Sequence, residues 1–146
     1  MSRRQRKKAP PIGKLKEKAA SKVQKLQRME AADDNGYCEC VTCKKWMHWK
    51  ELQGGHYIER GVSETLLDER NINPQCPGCN CFAMKKVSGM LKYREFMVEW
   101  YGEDATKELE EKGKAKRPHK WNRVELEEKI KEYDERIKEE ARRLGE

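Results

Sequence analysis

Cys40-Val41-Thr42-Cys43 and Cys76-Pro77-Gly78-Cys79-Asn80 are the two stretches on which the fold turns. Together they read C-x2-C-x32-C-x2-C. Zn²⁺ prefers four soft or borderline ligands in a tetrahedron, and two thiolate pairs closing on one ion supply them. Cys40, Cys43, Cys76 and Cys79 are therefore read as a structural zinc site. Rubredoxin-like iron is the alternative among metals, and nothing else in the chain suggests electron transfer. The spacer is longer than that of a simple zinc finger, so the insert carries chemistry of its own.

Within and just beyond that insert lie Gly54-Gly55-His56, Asn71 and Asn80. Phosphodiester hydrolysis needs a deprotonated water, charge relief at the phosphate and stabilisation of the leaving oxygen. A neutral imidazole near pH 7 provides the first, and a hard divalent cation the other two. An Asn amide oxygen is a suitable ligand for such a cation. Alone, a Gly-Gly-His is more often structural. Framed by two cysteine knuckles and followed by an Asn directly after the last Cys, His56 and Asn80 form a chemically sensible pair. Two glycines before the His permit a tight backbone and close approach of a ligand.

The rest of the composition fits a small stapled domain. Of 146 residues, 36% are hydrophobic and 40% charged, too little apolar matter for a large core. The N-terminus lacks the apolar run of a signal peptide, and no segment approaches a membrane span. Paired C-x-x-C units without a secretory signal favour metal over disulfide and a cytoplasmic setting, the host cytoplasm if the gene is a phage's. Cys38 and Cys81 fall outside the pairs and are read as idle thiols. The net charge of +7 is uneven. Residues 1–30 hold 11 Lys and Arg against 2 Glu, a net of +9, and the remaining 116 hold 22 basic and 24 acidic groups, a net of −2. Arg3, Arg4, Arg6, Lys7 and Lys8 thus form an arm suited to a polyanion, whose binding would weaken steeply with salt.

Along the chain, residues 1–11 read as a flexible basic arm and 12–146 as one domain: a helix over 12–31, a zinc-bearing core over 37–88 and a helical part over 89–146. Apolar residues at three- and four-residue steps from Ile12 to Met29 mark the first helix. Asp33-Asp34-Asn35-Gly36 ends it. Residues 37–61 contain short extended stretches, 61–70 a loop and 70–75 a strand. A helix is expected from Asn80 past Lys85 and Lys86. Another covers 89–101, burying Met90, Tyr93, Met97 and Trp100, and a third covers 103–112. After a basic loop holding His119 and Trp121, Asn122 is a plausible N-cap for a long helix with Leu126, Ile130, Tyr133, Ile137 and Leu144 on one face. That face packs on the core or forms a dimer seam. His48 is expected to pack beside the zinc site, Trp121 to dock the last helix, and His119 to contact a phosphate or protonate a leaving oxygen.

The order Cys40-Val41-Thr42-Cys43, Gly55-His56-Tyr57, Glu69-Arg70-Asn71-Ile72 and Gln75-Cys76-x-x-Cys79-Asn80 resembles the phage NinG/Rap recombination nucleases. These belong to the zinc-containing HNH, or ββα-metal, endonucleases. The likeness runs over residues 14–140 and takes in Ser88-Gly89, Tyr93-Arg94, the Gly102 turn and His119-x-Trp121. It implies an α+β fold with a small zinc-stapled ββα-metal core flanked by helices. It implies an Mg²⁺- or Mn²⁺-dependent DNA endonuclease acting on branched recombination intermediates such as junctions, D-loops and flaps. His56 would be the general base, Asn71 would orient the His loop, and Asn80 would bind the catalytic cation. Lys85, Lys86 and His119 would contact DNA.

One position departs from the HNH pattern. Many such sites place a cation-binding Asp directly before the base His; here that residue is Gly55. Asp68, Glu59, Glu51 or water would complete the ligand set. Alternatively His56 itself binds the cation and His48 handles the water. A homodimer would suit an enzyme that cuts two strands of a junction. Two rival readings remain: a non-catalytic zinc-ribbon DNA-binding protein, which leaves His56 and Asn80 without a task, and a protein-interaction scaffold built on the long helices.

Overall fold

The computed structural model describes residues 9–115 and 118–146. Helix α1 spans Ile12–Ala31 and turns Leu15, Ala19, Ala20, Val23, Leu26 and Met29 inward. The Asp33 carboxylate accepts the backbone N–H groups of Asn35 and Tyr37 at 3.0 Å each, which closes the turn that follows. Strands β1 (Tyr37–Glu39) and β2 (Trp46–His48) then pair antiparallel around the first knuckle. A 3-10 turn over Trp49–Glu51 leads into β3 (Gln53–His56).

After a loop, β4 (Ile72–Gln75) returns antiparallel to β3, pairing His56 with Ile72, Gly55 with Asn73 and Gly54 with Pro74. Helix α2 (Pro77–Cys81) follows at once, with Cys76 as its N-cap and Pro77 in the first turn, where a missing N–H costs nothing. The two hairpins are separate sheets, joined where Val41 N–H donates to Pro74 O at 2.9 Å. The chain is therefore a mixed α+β fold of two small antiparallel sheets and five α-helices among the described residues.

Helices α3 (Val87–Tyr101), α4 (Glu103–Gly113) and α5 (Arg123–Arg143) complete the molecule. α5 opens on a capping box in which Asn122 and Glu125 exchange side-chain and backbone hydrogen bonds. It lies along α1 in the same direction. Arg123 donates to Pro10 O at one end, and at the other Arg143 donates to Met29 O (2.9 Å) and Ala32 O (3.0 Å), satisfying carbonyls at the C-terminus of α1. Leu126, Ile130 and Tyr133 are buried against α1, so the apolar face of α5 is spent within the chain rather than left as a dimer seam. Leu144 lies just past the helix end and packs with Met29, Ala32 and Trp49. No described helix is long and apolar enough to cross a membrane.

Two expectations for the region after the second knuckle need correction. The helix expected from Asn80 through Lys86 stops at Cys81; a separate 3-10 turn covers Ala83–Lys85 before α3 begins. The inward face of α3 carries Gly89, Tyr93 and Met97, not Met90 and Trp100. Met90 is 48% exposed and Trp100 72%. The cause is contact at Gly89, where an added Cβ would stand 2.0 Å from Ala83 O. The glycine is pressed on the preceding turn, and that contact sets the rotation of the helix. Met97→Ala should therefore cost about 2–5 kcal/mol, as for a buried Met, while Trp100→Ala should cost about 1 kcal/mol or less. Urea denaturation of the two variants checks this; equal losses would contradict the rotation.

Candidate metal centre and the adjoining cavity

The four cysteines meet as the spacing requires. Their sulfurs all lie within 4.8 Å of one another, with Cys43 Sγ and Cys76 Sγ 3.8 Å apart. A tetrahedron with metal–sulfur bonds of about 2.3 Å has edges of about 3.8 Å, and a disulfide would need about 2.05 Å. The donor set therefore fits a zinc ion and does not describe disulfides. Burial, with Cys76, Cys43 and Cys40 beside it, pushes the Cys79 thiol well above its usual range. Clustered thiolates need a cation to hold them together.

Each knuckle is built locally. Cys40 N–H donates to Lys45 O and Lys44 N–H to Cys40 O, both at 2.9 Å, and Lys44 adopts a left-handed φ of 66° to finish the turn. On the other side, Cys79 N–H donates to Cys76 Sγ at 3.4 Å. The knuckles are also tied together beneath the sulfurs, where the fully buried Gln75 donates from Nε2 to Thr42 Oγ1 at 2.7 Å. Cys38 is a buried thiol raised to about 11, first by desolvation and then by Asp33, and lies outside the cluster; Cys81 is exposed. If the site is structural, Cys76→Ser should lower the zinc content below one ion per chain and lower the unfolding temperature. Cys38→Ser and Cys81→Ser should retain full zinc, as measured by metal analysis of the purified variants.

The Gly-Gly pair has a structural reason that the sequence did not disclose. The two residues face opposite sides of β3. A Cβ on Gly54 would stand 2.8 Å from Gln24 Cβ on α1, and one on Gly55 only 1.8 Å from Gln75 Oε1. The close approach is by the protein's own helix and by the amide that bonds Thr42, not by a ligand. A side chain at position 55 would push the Gln75 amide out of that bond. Gly55→Ala should cost about 1–3 kcal/mol, as overpacking does. Adding Gln75→Ala should cost less than the sum of the two single changes, a coupling that a double-mutant cycle in urea measures.

His56 ends β3, and its loop is pinned by Asn71. The Asn71 side chain is fully buried. Its Oδ1 accepts Ile58 N–H at 2.7 Å, and its Nδ2 donates to Ile58 O at 3.0 Å and Thr65 O at 3.2 Å. One amide thus clamps both limbs of the loop between β3 and β4. Behind the hairpin, Tyr93 donates from its hydroxyl to Gly55 O at 2.7 Å, and Asn73 Nδ2 to Tyr93 Oη at 3.3 Å. Gln27 of α1 donates to Glu69 O at 2.8 Å.

A cavity of about 560 Å³ opens beside this hairpin, and His56, Glu59, Arg60, Asn80, Met84 and Met90 are among its lining residues. His56 Nε2 is buried and has no hydrogen-bond partner. Burial, reinforced by Arg60 and opposed by the Leu66 backbone, lowers the imidazole to about 4. The ring is therefore neutral at physiological pH. Asn80 Nδ2 donates to Gln53 Oε1 at 2.8 Å, which fixes the amide and leaves its oxygen free of that contact.

The other sequence candidates lie elsewhere. Asp68 pairs with Arg70 at 2.9 Å and caps a 3-10 turn over Glu69–Asn71. Glu51 does not line the cavity. His48 accepts Lys50 N–H on Nδ1 at 3.2 Å and meets Tyr37 edge-on, so it packs on the turn after α1 rather than on the cysteines. His119 stands 3.3 Å from Glu125 and packs on Trp121, whose indole N–H donates to Ser63 O. Trp121 also packs against the α1–α5 core. Lys85 and Lys86 are exposed, with Lys86 in a separate hollow beside Cys43 and Cys79. Arg3, Arg4, Arg6, Lys7 and Lys8 fall outside the described residues. Gln53 and Arg60 were not singled out from the sequence. A polar strand residue and a loop arginine carry no pattern that marks them until the fold brings them to Asn80 and His56.

The fold and the four-sulfur cluster define a small α+β protein with a site able to hold zinc. The family model for the bacteriophage lambda NinG protein matches residues 1–143, and the chain belongs to the NinG family. No curated protein and no solved structure matches it significantly.

Proposed function

We propose that the chain is a DNA endonuclease of the HNH, or ββα-metal, type, dependent on Mg²⁺ or Mn²⁺ and acting on branched recombination intermediates. The observation that carries this reading is the shared cavity: His56 at the end of β3 and Asn80 on α2 line one space immediately beyond the cysteine cluster. The succession β3, β4, α2 is the hairpin-and-helix order that such a centre requires. Membership of the NinG family supports the link to phage recombination.

In this mechanism His56 accepts the proton of the attacking water. Nε2 is buried without a partner, so Nδ1 is the nitrogen to which we assign the water. A single accessible nitrogen serves as base or as cation ligand, not as both, and we assign it to the water. Asn80, through its amide oxygen, and Glu59, the carboxylate that lines the same space, are the residues fitted to hold a hard divalent cation. Such a cation would relieve charge on the scissile phosphate and the leaving oxygen. Asn71 keeps the His loop in place through its three hydrogen bonds. Arg60, Lys85, Lys86 and the N-terminal basic residues would hold phosphates. DNA is the partner, and a pair of chains would suit the cutting of two strands.

His56→Ala should keep zinc and DNA binding while cleavage of forks, flaps and four-way junctions with Mg²⁺ or Mn²⁺ falls about 10²- to 10⁴-fold, the usual range for a lost general base. Undiminished cutting removes His56 from the role. Binding without any cutting by the unaltered protein favours the zinc-ribbon reading. The His56 ring signals in NMR should stay neutral down to about pH 4. The unfolded chain takes up that proton near pH 6.5, so His56 lowers stability as pH falls through the interval between the two values.

A further inference from the structure

Near the cysteine cluster, in the hollow separate from the His56–Asn80 cavity, stands an exposed aromatic ring that the mechanism does not use. Phe82 is 66% exposed, Val87 72% and Leu91 57%. Phe82 caps α2 only two residues after Asn80 and lines the hollow beside Cys43 and Cys79, together with Lys86 and Lys92. A small soluble domain seldom exposes so many large apolar groups together unless they meet something.

Three lysines stand around this ring. Lys85, Lys86 and Lys92 are exposed on the same turn and helix, and Lys85 Nζ stands 6.0 Å from the centre of the Phe82 ring. From Arg70 to Arg94 the chain contains no Asp or Glu, although 26 acidic residues occur elsewhere in it. The Phe82 ring is therefore an exposed apolar face with lysines about it, and Glu95, farther along α3, is the first carboxylate after it in the chain. A protein partner would need an acidic, greasy face to match it. A nucleic acid at a branch matches it directly: phosphates meet the lysines, and an unpaired base offers a flat apolar face to an aromatic ring.

We propose that Phe82 is a branch-reading element that stacks on a base left unpaired where DNA strands separate, with Lys85, Lys86 and Lys92 holding the flanking phosphates. Intact duplex offers no free base face, so it would contact only the lysines. Preference for branched DNA would thus reside in this patch rather than in His56 or Asn80. The inference rests on the reading of the chain as a DNA-binding protein, but not on cleavage.

The test is equilibrium binding without added divalent cation, using a fork with 2-aminopurine at the first unpaired position and a duplex of the same sequence. The unaltered protein should bind the fork more tightly and alter the 2-aminopurine emission. Phe82→Ala should weaken fork binding about 10-fold, the scale of one lost base stack, and leave duplex binding within about twofold. Phe82→Trp should restore fork binding, and unchanged zinc content in both variants reports an intact fold. Equal effects of Phe82→Ala on fork and duplex, or no effect on either, would overturn the proposal; the second result would also be expected if the patch docks a protein. The outcome is separable from that of the nuclease reading. Loss of fork preference in a protein that never cuts supports the element without the enzyme. An unaltered preference in Phe82→Ala that still cuts supports the enzyme without the element.

Discussion

The closure of four sulfurs into one tetrahedral cluster is the constraint on which the centre of the molecule depends. The two-stranded sheets are too short to stand alone, and a lone hairpin is marginal in water. Each sheet meets the cluster at one end: β1 and β2 flank the first knuckle, and β4 runs straight into the second. A cation held there fixes the hairpins relative to each other. Gln75–Thr42 and Val41–Pro74 then repeat that attachment in hydrogen bonds below it.

That lower layer constrains the candidate site. Because the Gln75 amide that bonds Thr42 lies where a Cβ on residue 55 would stand, a side chain there would displace it. Glu59 is the acidic side chain that the loop delivers to the cavity. The metal cluster and the cavity are thus coupled through one buried amide, whose own Oε1 is left without a hydrogen-bond partner.

The helices serve this arrangement from outside. α1 lies against β3 at Gly54, holds the Glu69 carbonyl through Gln27, and is itself held along its length by α5. Tyr93 of α3 supports Gly55 from behind through its hydroxyl. Arg94 joins α3 to α4 by bonds to Glu103 and Glu110. Phe82, which follows α2, is left exposed in the hollow beside the cysteines rather than buried.

Much of this was legible in the chain. The cysteine spacing pointed to a four-sulfur cluster able to hold zinc, because thiol pairs two residues apart have few other uses. The three- and four-residue rhythm gave α1 over 12–31, and Asn122 as an N-cap marked the start of α5. Short-range chemistry of that kind is written in neighbouring residues. The rotation of α3 was not, because it depends on Gly89 meeting a carbonyl of the preceding turn. Nor was the reason for Gly55, which lies in a glutamine on the opposite strand. The cavity itself belongs to this second kind: it brings His56, Glu59 and Asn80 to one space through a strand pairing and a helix. Sequence determined which side chains were available and which segments would coil or pair; only the tertiary packing decided which of them meet, because contact across distant segments depends on shape and volume that no local pattern encodes.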